Sequence, residues 1–232
     1  MKGFVDIHTH IAFGLDDGAK SIENAIEMIK TAKADGTDYI CLTPHFHTAY
    51  YKYSAEQRNA SFEQIKNSVD DVYIFFGNEL HYSPQMMEWL KKGECLTINN
   101  SKYVLIDFYE TEEKEVIFDA LHNLLSGGYK PILAHTERYG LNIKDVMQLK
   151  ESGIIIQVNA MSVFGQWGFN AKRRSRAILK CGLADLVCSD AHNMTKRPPT
   201  LKKTYEWVAK KTEQSYADDL FINNGKVILN IH

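Results

Sequence analysis

No run of apolar residues in the 232-residue chain approaches the roughly 20 that a membrane-spanning helix requires, so no membrane insertion is expected. No secretory leader is expected either, because Asp6, His8 and His10 stand where a signal peptide needs apolar residues. Cysteine is scarce: Cys41, Cys95, Cys181 and Cys188 include no C-x-x-C pair, and three of them lie in apolar segments. A disulfide framework does not suit so large a chain, and reduced thiols in a cytoplasmic protein are expected. Neither sign of charge is in excess, since 27 Lys and Arg face 29 Asp and Glu for a net of -2. That balance, without a broad basic groove, gives no general attraction to nucleic acid. Pro/Gly/Ser linkers and low-complexity tracts are also absent, and 44% hydrophobic with 24% charged residues is ordinary globular composition. One domain spanning residues 1–232 is therefore expected.

Several catalytic signatures are missing. No Gly-rich dinucleotide fingerprint follows the first apolar segment, and no phosphate-cradling G-x-x-x-x-G-K-[ST] occurs. No C-x5-R follows any of the four cysteines, which removes the cysteine-dependent phosphatase loop, and no G-x-S-x-G marks a serine nucleophile.

What is present is periodic. Short apolar, β-branched runs centre on Val5, Ile40, Phe75, Leu105, Leu133, Ile155 and Val187. Between them lie segments of helical spacing: Ile22, Ala25, Ile26 and Ile29 before Gly36; Val116, Ile117, Ala120, Leu121 and Leu124 before Gly127-Gly128; and Val146, Met147 and Leu149 between Asn142 and Gly153. Strands alternating with helices imply a parallel sheet. Seven such units imply one closed or nearly closed β/α barrel, with a doubly wound open sheet as the alternative.

Metal-competent side chains recur at the ends of these strands. His8 and His10 end the first strand, His45 follows the second, and Glu79 is expected to close the third. Asp107 closes the fourth, His135 the fifth, and Asp190 and His192 follow the seventh, while the sixth ends at Asn159, read as no direct ligand. Strand C-termini of a β/α barrel converge on one face, so eight side chains distant in sequence are brought to one place. In H-x-H and D-x-H, alternate residues share one side of a strand, and both can reach one cluster. Imidazole and carboxylate without thiolate suit Mn, Fe, Co or Zn in a catalytic site. If Glu79 bridges and Asp17 of the Asp16-Asp17-Gly18 turn joins, the set can serve two or three ions. His81, His122 and His232 read as structural or surface histidines. His47 sits in a Tyr-rich stretch (Tyr50, Tyr51, Tyr53) with the composition of a mobile loop over the site, and it stays open between the two roles.

Six segments carry a resemblance: Phe4-Val5-Asp6-Ile7-His8-Thr9-His10, Asp16-Asp17-Gly18, Thr43-Pro44-His45, Gly77-Asn78-Glu79, His135-Thr136-Glu137-Arg138 and Ser189-Asp190-Ala191-His192-Asn193. Together they resemble the polymerase and histidinol phosphatase (PHP) superfamily, and within it the manganese-dependent tyrosine-protein phosphatases of capsule and exopolysaccharide operons, the CpsB/YwqE type. The likeness runs from the first strand to Leu220-Phe221-Ile222-Asn223-Asn224. It implies a distorted (β/α)7 barrel of the PHP type and a trinuclear centre, with Mn2+ as the resident metal. His8, His10, Glu79 and Asp190 would surround one ion, Glu79, Asp107 and His135 a second, and Asp17, His45 and His192 a third. The partner implied is a phosphotyrosine-bearing bacterial tyrosine kinase that regulates polysaccharide synthesis. One position departs from the pattern: Asp107 in Leu105-Ile106-Asp107-Phe108 stands where the phosphatases resembled generally carry Glu.

Clustered divalent ions bridging a hydroxide suit attack on phosphorus, and phosphate esters also need cationic donors. Arg138, three residues after His135, and Arg197, five after His192, lie beside ligand-bearing strand ends and are expected to clamp the phosphoryl group. Arg197 belongs to a Pro-flanked loop expected to be mobile. The run Lys172-Arg173-Arg174-Ser175-Arg176 reads first as a solvated helix face, and second as a docking patch for an acidic or phosphorylated partner. A small-molecule phosphatase such as histidinol phosphatase is the alternative enzyme. A metal-binding regulatory protein without turnover is the alternative of a different class.

Overall fold

The computed structural model describes residues 3–47 and 49–231; His232, expected to be structural or at the surface, lies outside them. Seven strand–helix units follow one another. β1 (Phe4–Thr9) leads to α1 (Ile22–Asp35), β2 (Thr37–Leu42) and β3 (His45–Phe46) to α2 (Ala55–Lys66), and β4 (Tyr73–Phe76) and β5 (Glu79–His81) to α3 (Met86–Lys92). β6 (Tyr103–Asp107) precedes α4 (Lys114–Ser126), β7 (Lys130–Leu133) precedes α5 (Ile143–Glu151), β8 (Ile155–Asn159) precedes α6 (Gly168–Lys180), and β9 (Leu186–Cys188) precedes α7 (Lys202–Lys211). The chain ends with α8 (Gln214–Asp218), a π-helical turn and α9 (Asn224–Leu229).

All strand pairs are parallel. β1, β2 and β4 form one sheet, and β3, β5, β6, β7, β8 and β9 form the other. A parallel bridge between Thr9 and Ala191 brings the ends together, with His10 N–H donating to Ala191 O at 2.8 Å and Asp190 N–H to His8 O at 3.0 Å. The result is the seven-unit β/α barrel expected from the alternation, with the distortion that the resemblance implies. Its distortion comes from the second and third strands, each broken in two. Pro44 separates β2 from β3, because it has no N–H for the ladder. Gly77 separates β4 from β5, where a Cβ would lie 2.8 Å from Ile98 Cδ1. The break corrects one expectation: Glu79 opens β5 instead of closing a strand.

The helix boundaries follow local chemistry. Ser21 caps α1 through its side chain, and Gly36 ends it at φ 110°, a conformation natural only to glycine. Asn142 and Asp145 form a reciprocal capping box at the start of α5. Met147, part of the helical repeat in sequence, faces solvent. Val5, Ile7, Cys41, Leu105, Ile132, Ala134, Leu186 and Cys188 form one buried cluster with Ile228 and Leu229. Ile106, Leu133, Ile156 and Val158 pack instead with Leu121, Leu149 and Leu179 from the helices. On β6, Leu105 belongs to the first cluster, and Asp107, two residues later, shares its face at the strand's C-terminal end. Among the described residues no helix is long and apolar enough to cross a membrane.

Candidate metal centre

Five histidines and four carboxylates meet at the C-terminal rim. Glu79 is the hub: Oε1 lies 3.3 Å from His8 Nε2 and 3.0 Å from His135 Nε2, and Oε2 lies 3.2 Å from His10 Nε2 and 2.8 Å from His45 Nδ1. Asp190 Oδ1 is 3.5 Å from His8 Nε2 and 3.4 Å from His10 Nε2. Asp17 Oδ1 faces His192 Nε2 at 3.4 Å and His45 Nε2 at 3.6 Å. Ligand atoms within 4.8 Å of one another form three groups: His10, Asp17, His45 and His192; His8, His10 and Asp190; and His45, Glu79 and Asp107. The implied second grouping differs here, for His45 joins Glu79 and Asp107, while His135 meets Glu79 through its other oxygen.

The donor set fits cations because its lone pairs point inward. His10 Nδ1–H donates to Asp16 Oδ2 at 2.7 Å, His8 Nδ1–H to Gln157 Oε1 at 3.2 Å, and His192 Nδ1–H to Asp190 O at 2.9 Å. Each imidazole thereby turns its Nε2 toward the cluster, the arrangement that outer partners impose on ligating histidines. His192 Nε2 and Glu79 Oε2 are both buried without a hydrogen-bond partner. Buried polar atoms are normally satisfied, so this pair marks a place for positive charge.

The electrostatics agree. Burial pushes Glu79 upward, but His8 and His45 outweigh it and hold the carboxyl well below the usual range. Asp190 is likewise held well below that range against its burial, by Arg197 and His8. Burial opposes charge on His10, yet Asp16 outweighs it and raises the imidazole well above an ordinary histidine, so a cation bound at Nε2 would take the place of a proton. Burial, then the charge of His10, lowers His192 to about 4, so it stays neutral and free to donate a lone pair. His135 and Asp190 also hold left-handed backbone, at φ 33° and 53°. Such strain in non-glycine residues persists where the surroundings impose it.

Other side chains at the rim were not legible as site residues. Gln157 Oε1 accepts from both His8 and His135 N–H, the latter at 2.7 Å. Its Nε2 donates to Asn159 Oδ1 at 2.9 Å, and Asn159 Nδ2 donates to Asp190 Oδ2 at 2.7 Å. β8 thus supplies a chain of amides that orients three rim residues. Replacing Gln157 by Leu should weaken metal affinity by roughly 10- to 100-fold, the usual cost of an outer-shell partner, as read by titration with Mn2+. Unchanged affinity would show that His8 is held by packing alone.

His81, expected to be structural or at the surface, is a buried partner of Asp107. Its Nδ1 lies 3.1 and 3.2 Å from the two oxygens of Asp107, and its ring stacks on His47 at 4.1 Å. The expected mobile tyrosine loop is also partly tied down. Tyr51 stacks on His45 at 5.3 Å, and Tyr53 Oη donates to His45 O at 2.8 Å, while Tyr50 remains exposed. A groove of about 660 Å3, lined in part by Phe46, His47, Tyr51 and Tyr53, opens alongside.

Arg138 and Arg197 converge on Trp167, their guanidinium carbons 4.1 and 5.0 Å from its ring centre. Arg138 pairs with Glu110 at 2.7 Å and Arg197 with Asp190 at 2.6 Å, leaving Arg197 Nε buried and unpartnered. The loop carrying Arg197 is closed by Asn193, whose Oδ1 accepts from Thr195, Lys196 and Arg197 N–H. Gln166 Nε2 ties the Trp167 loop to Lys196 O at 2.7 Å. The basic run divides as well. Arg174 donates to Glu137 O and Arg138 O, so it builds the rim instead of facing solvent.

A family model for capsular polysaccharide synthesis, CpsB/CapC, matches residues 4–230. The tyrosine-protein phosphatase CpsB of Streptococcus pneumoniae is 34% identical over 237 residues, covering 97% of this chain and 98% of its own. CpsB of Streptococcus agalactiae is 32% identical over 240 residues, covering 98% and 99%. A crystal structure from the work on YwqE of Bacillus subtilis and CpsB of S. pneumoniae, metal-dependent tyrosine phosphatases, superposes with a TM-score of 0.88 at 27% identity. It covers 97% of this chain and 94% of that one.

Proposed function

The chain belongs to the CpsB/CapC family of capsular polysaccharide synthesis, and on that premise we propose that it is a metal-dependent protein-tyrosine phosphatase. Its substrate in this reading is phosphotyrosine on a bacterial tyrosine kinase that regulates capsular or extracellular polysaccharide synthesis, in the cytoplasm. The observation that carries the reading is the convergence of inward-facing Nε2 atoms on Glu79 and Asp190. His8, His10, Asp17, His45, Glu79, Asp107, His135, Asp190 and His192 would hold two or three ions, with Mn2+ favoured by the imidazole-rich donor set.

When bound, the ions supply a nucleophile from water at neutral pH and neutralise charge on the phosphoryl group. The chain's own residues do the rest. Arg138 and Arg197 hold the non-bridging oxygens, whose charge shifts as the ester bond breaks. Stacking on Trp167 keeps both guanidinium planes at the rim. A phenol with a pKa of about 10 leaves more readily than an alkoxide, so the site works without a dedicated general acid. Tyr50, Tyr51 and Tyr109 offer aromatic surface at the rim to an incoming phenyl ring.

Prolonged chelation should abolish hydrolysis of a phosphotyrosine peptide, and Mn2+ should restore it more fully than Mg2+, which prefers oxygen ligands and gives up water reluctantly. Activity that survives chelation, with metal loss verified by elemental analysis, would overturn the metal mechanism.

A further inference from the structure

The surface of α6 is charged beyond what the metal centre needs. Phe169, Lys172, Arg173, Arg176 and Lys180 recur at intervals that place them on one side of the helix. Ala171, Ser175, Ile178 and Leu179 on the other side are buried. Phe169 is 78% exposed, and a shallow groove of about 490 Å3 runs between it and the four cations. α6 contains no acidic residue. Residues 168–211 hold eleven of the 27 lysines and arginines but only three of the 29 carboxylates. Among the described residues no carboxylate forms an ion pair with Lys172, Arg173, Arg176 or Lys180.

We infer that this face of α6 docks an acidic segment of the polypeptide that carries the phosphotyrosine; the inference rests on the phosphatase reading above. Charge complementarity selects an acidic partner, and continuity with the rim selects the substrate itself. Phe169 lies two residues beyond Trp167, whose ring carries both arginines, so the face begins where the phosphoryl clamp ends. Phe169 to Lys180 spans about 16 Å of helix, room for about five extended peptide residues. A membrane surface fits less well. Helices that lie in a bilayer expose a wide apolar face, whereas α6 turns Ala171, Ile178 and Leu179 into the fold and leaves Phe169 alone to insert.

The test uses the Mn2+-loaded enzyme and phosphotyrosine peptides that differ only in flanks, Glu/Asp in one and Gln/Asn in the other. The wild type should show a KM about tenfold lower for the acidic peptide, and the advantage should fade between about 50 and about 300 mM salt as screening shortens. K172E/R173E/K180E, and the milder K172Q/R173Q, should lose that advantage while turnover of p-nitrophenyl phosphate stays within about twofold of wild type. Anisotropy of the unphosphorylated acidic peptide should report the same loss as binding, independent of catalysis. Failure to hydrolyse any phosphotyrosine peptide would therefore refute the phosphatase reading and leave the binding result to decide docking. Equal KM values for the two peptides, or variants that keep the acidic preference, would overturn the inference. So would sedimentation of wild type, but not variants, with phosphatidylglycerol vesicles when the peptides are not distinguished.

Discussion

Replacing Glu79 by Ala should remove metal and turnover together. One carboxylate meets four histidines here, with Oε1 between His8 and His135 and Oε2 between His10 and His45. Removing it would leave the bound cations without the anion shared by four histidines in a buried site, where unpaired charge is most expensive. Metal retention measured on the purified variant should fall to background. kcat/KM on a phosphotyrosine peptide should drop by at least about 10^4-fold, more than about 5 kcal/mol of transition-state stabilisation. Glu79→Gln keeps the volume and loses the charge, so it should lose activity with the fold intact by circular dichroism. Full metal content in either variant would mean that Glu79 is not the bridging ligand.

The second large effect concerns the rim arginines, and it leaves the metals in place. Arg138→Ala should lower kcat/KM by about 10^2-fold, roughly 2.7 kcal/mol, with metal content unchanged. Arg138→Lys should recover part of this, because it keeps charge but loses the planar fork. Arg197→Ala should raise KM and weaken inhibition by free phosphate. Trp167→Ala should reproduce a smaller share of both defects, since it touches both guanidinium groups, and Trp167→Phe should restore most of the loss by keeping a ring face. Near-wild-type kcat/KM in either arginine variant would reduce that residue to a surface charge.

Much of this site could be read from strand ends. His8, His10, His45, Asp107, His135, Asp190 and His192 close or follow predicted strands, and barrel topology alone sends those positions to one rim. The splitting of two strands was harder to see, although Pro44 and Gly77 were the signals. Pro44 cannot continue a ladder, yet its carbonyl accepts from Glu79 N–H and Asn78 Nδ2, so the break itself sets Glu79 in place. A glutamine inside the apolar run Ile154-Ile155-Ile156-Gln157-Val158 was a second usable signal, because a buried amide needs partners. Its partners, His8 and the His135 amide, are 149 and 22 residues away.

Trp167 carried no such mark. It acts only because the loops bearing Arg138 and Arg197 close over it, and neither loop shares a spacing rule with it. The task of His81 was hidden for the same reason: a lone histidine in sequence becomes the partner of Asp107 once β5 and β6 pair with His81 beside Asp107. The shorter aspartate at this position, in place of the glutamate of the phosphatases it resembles, is engaged through both oxygens by His81. Asp16 was visible within Asp16-Asp17-Gly18, but its task was not. Its carboxylate orients His10 and accepts from the His45 and Gly18 N–H groups, so it shapes the centre from outside.

The most direct test of the assignment compares kcat/KM for a phosphotyrosine peptide, a phosphoserine peptide and histidinol phosphate on the same Mn2+-reconstituted preparation. The aryl ester should be preferred by about tenfold or more, because phenolate leaves without proton assistance and the rim presents aromatic surface to the ring. A preference of that size for histidinol phosphate would contradict the account and assign the metal centre to small-molecule phosphate esters.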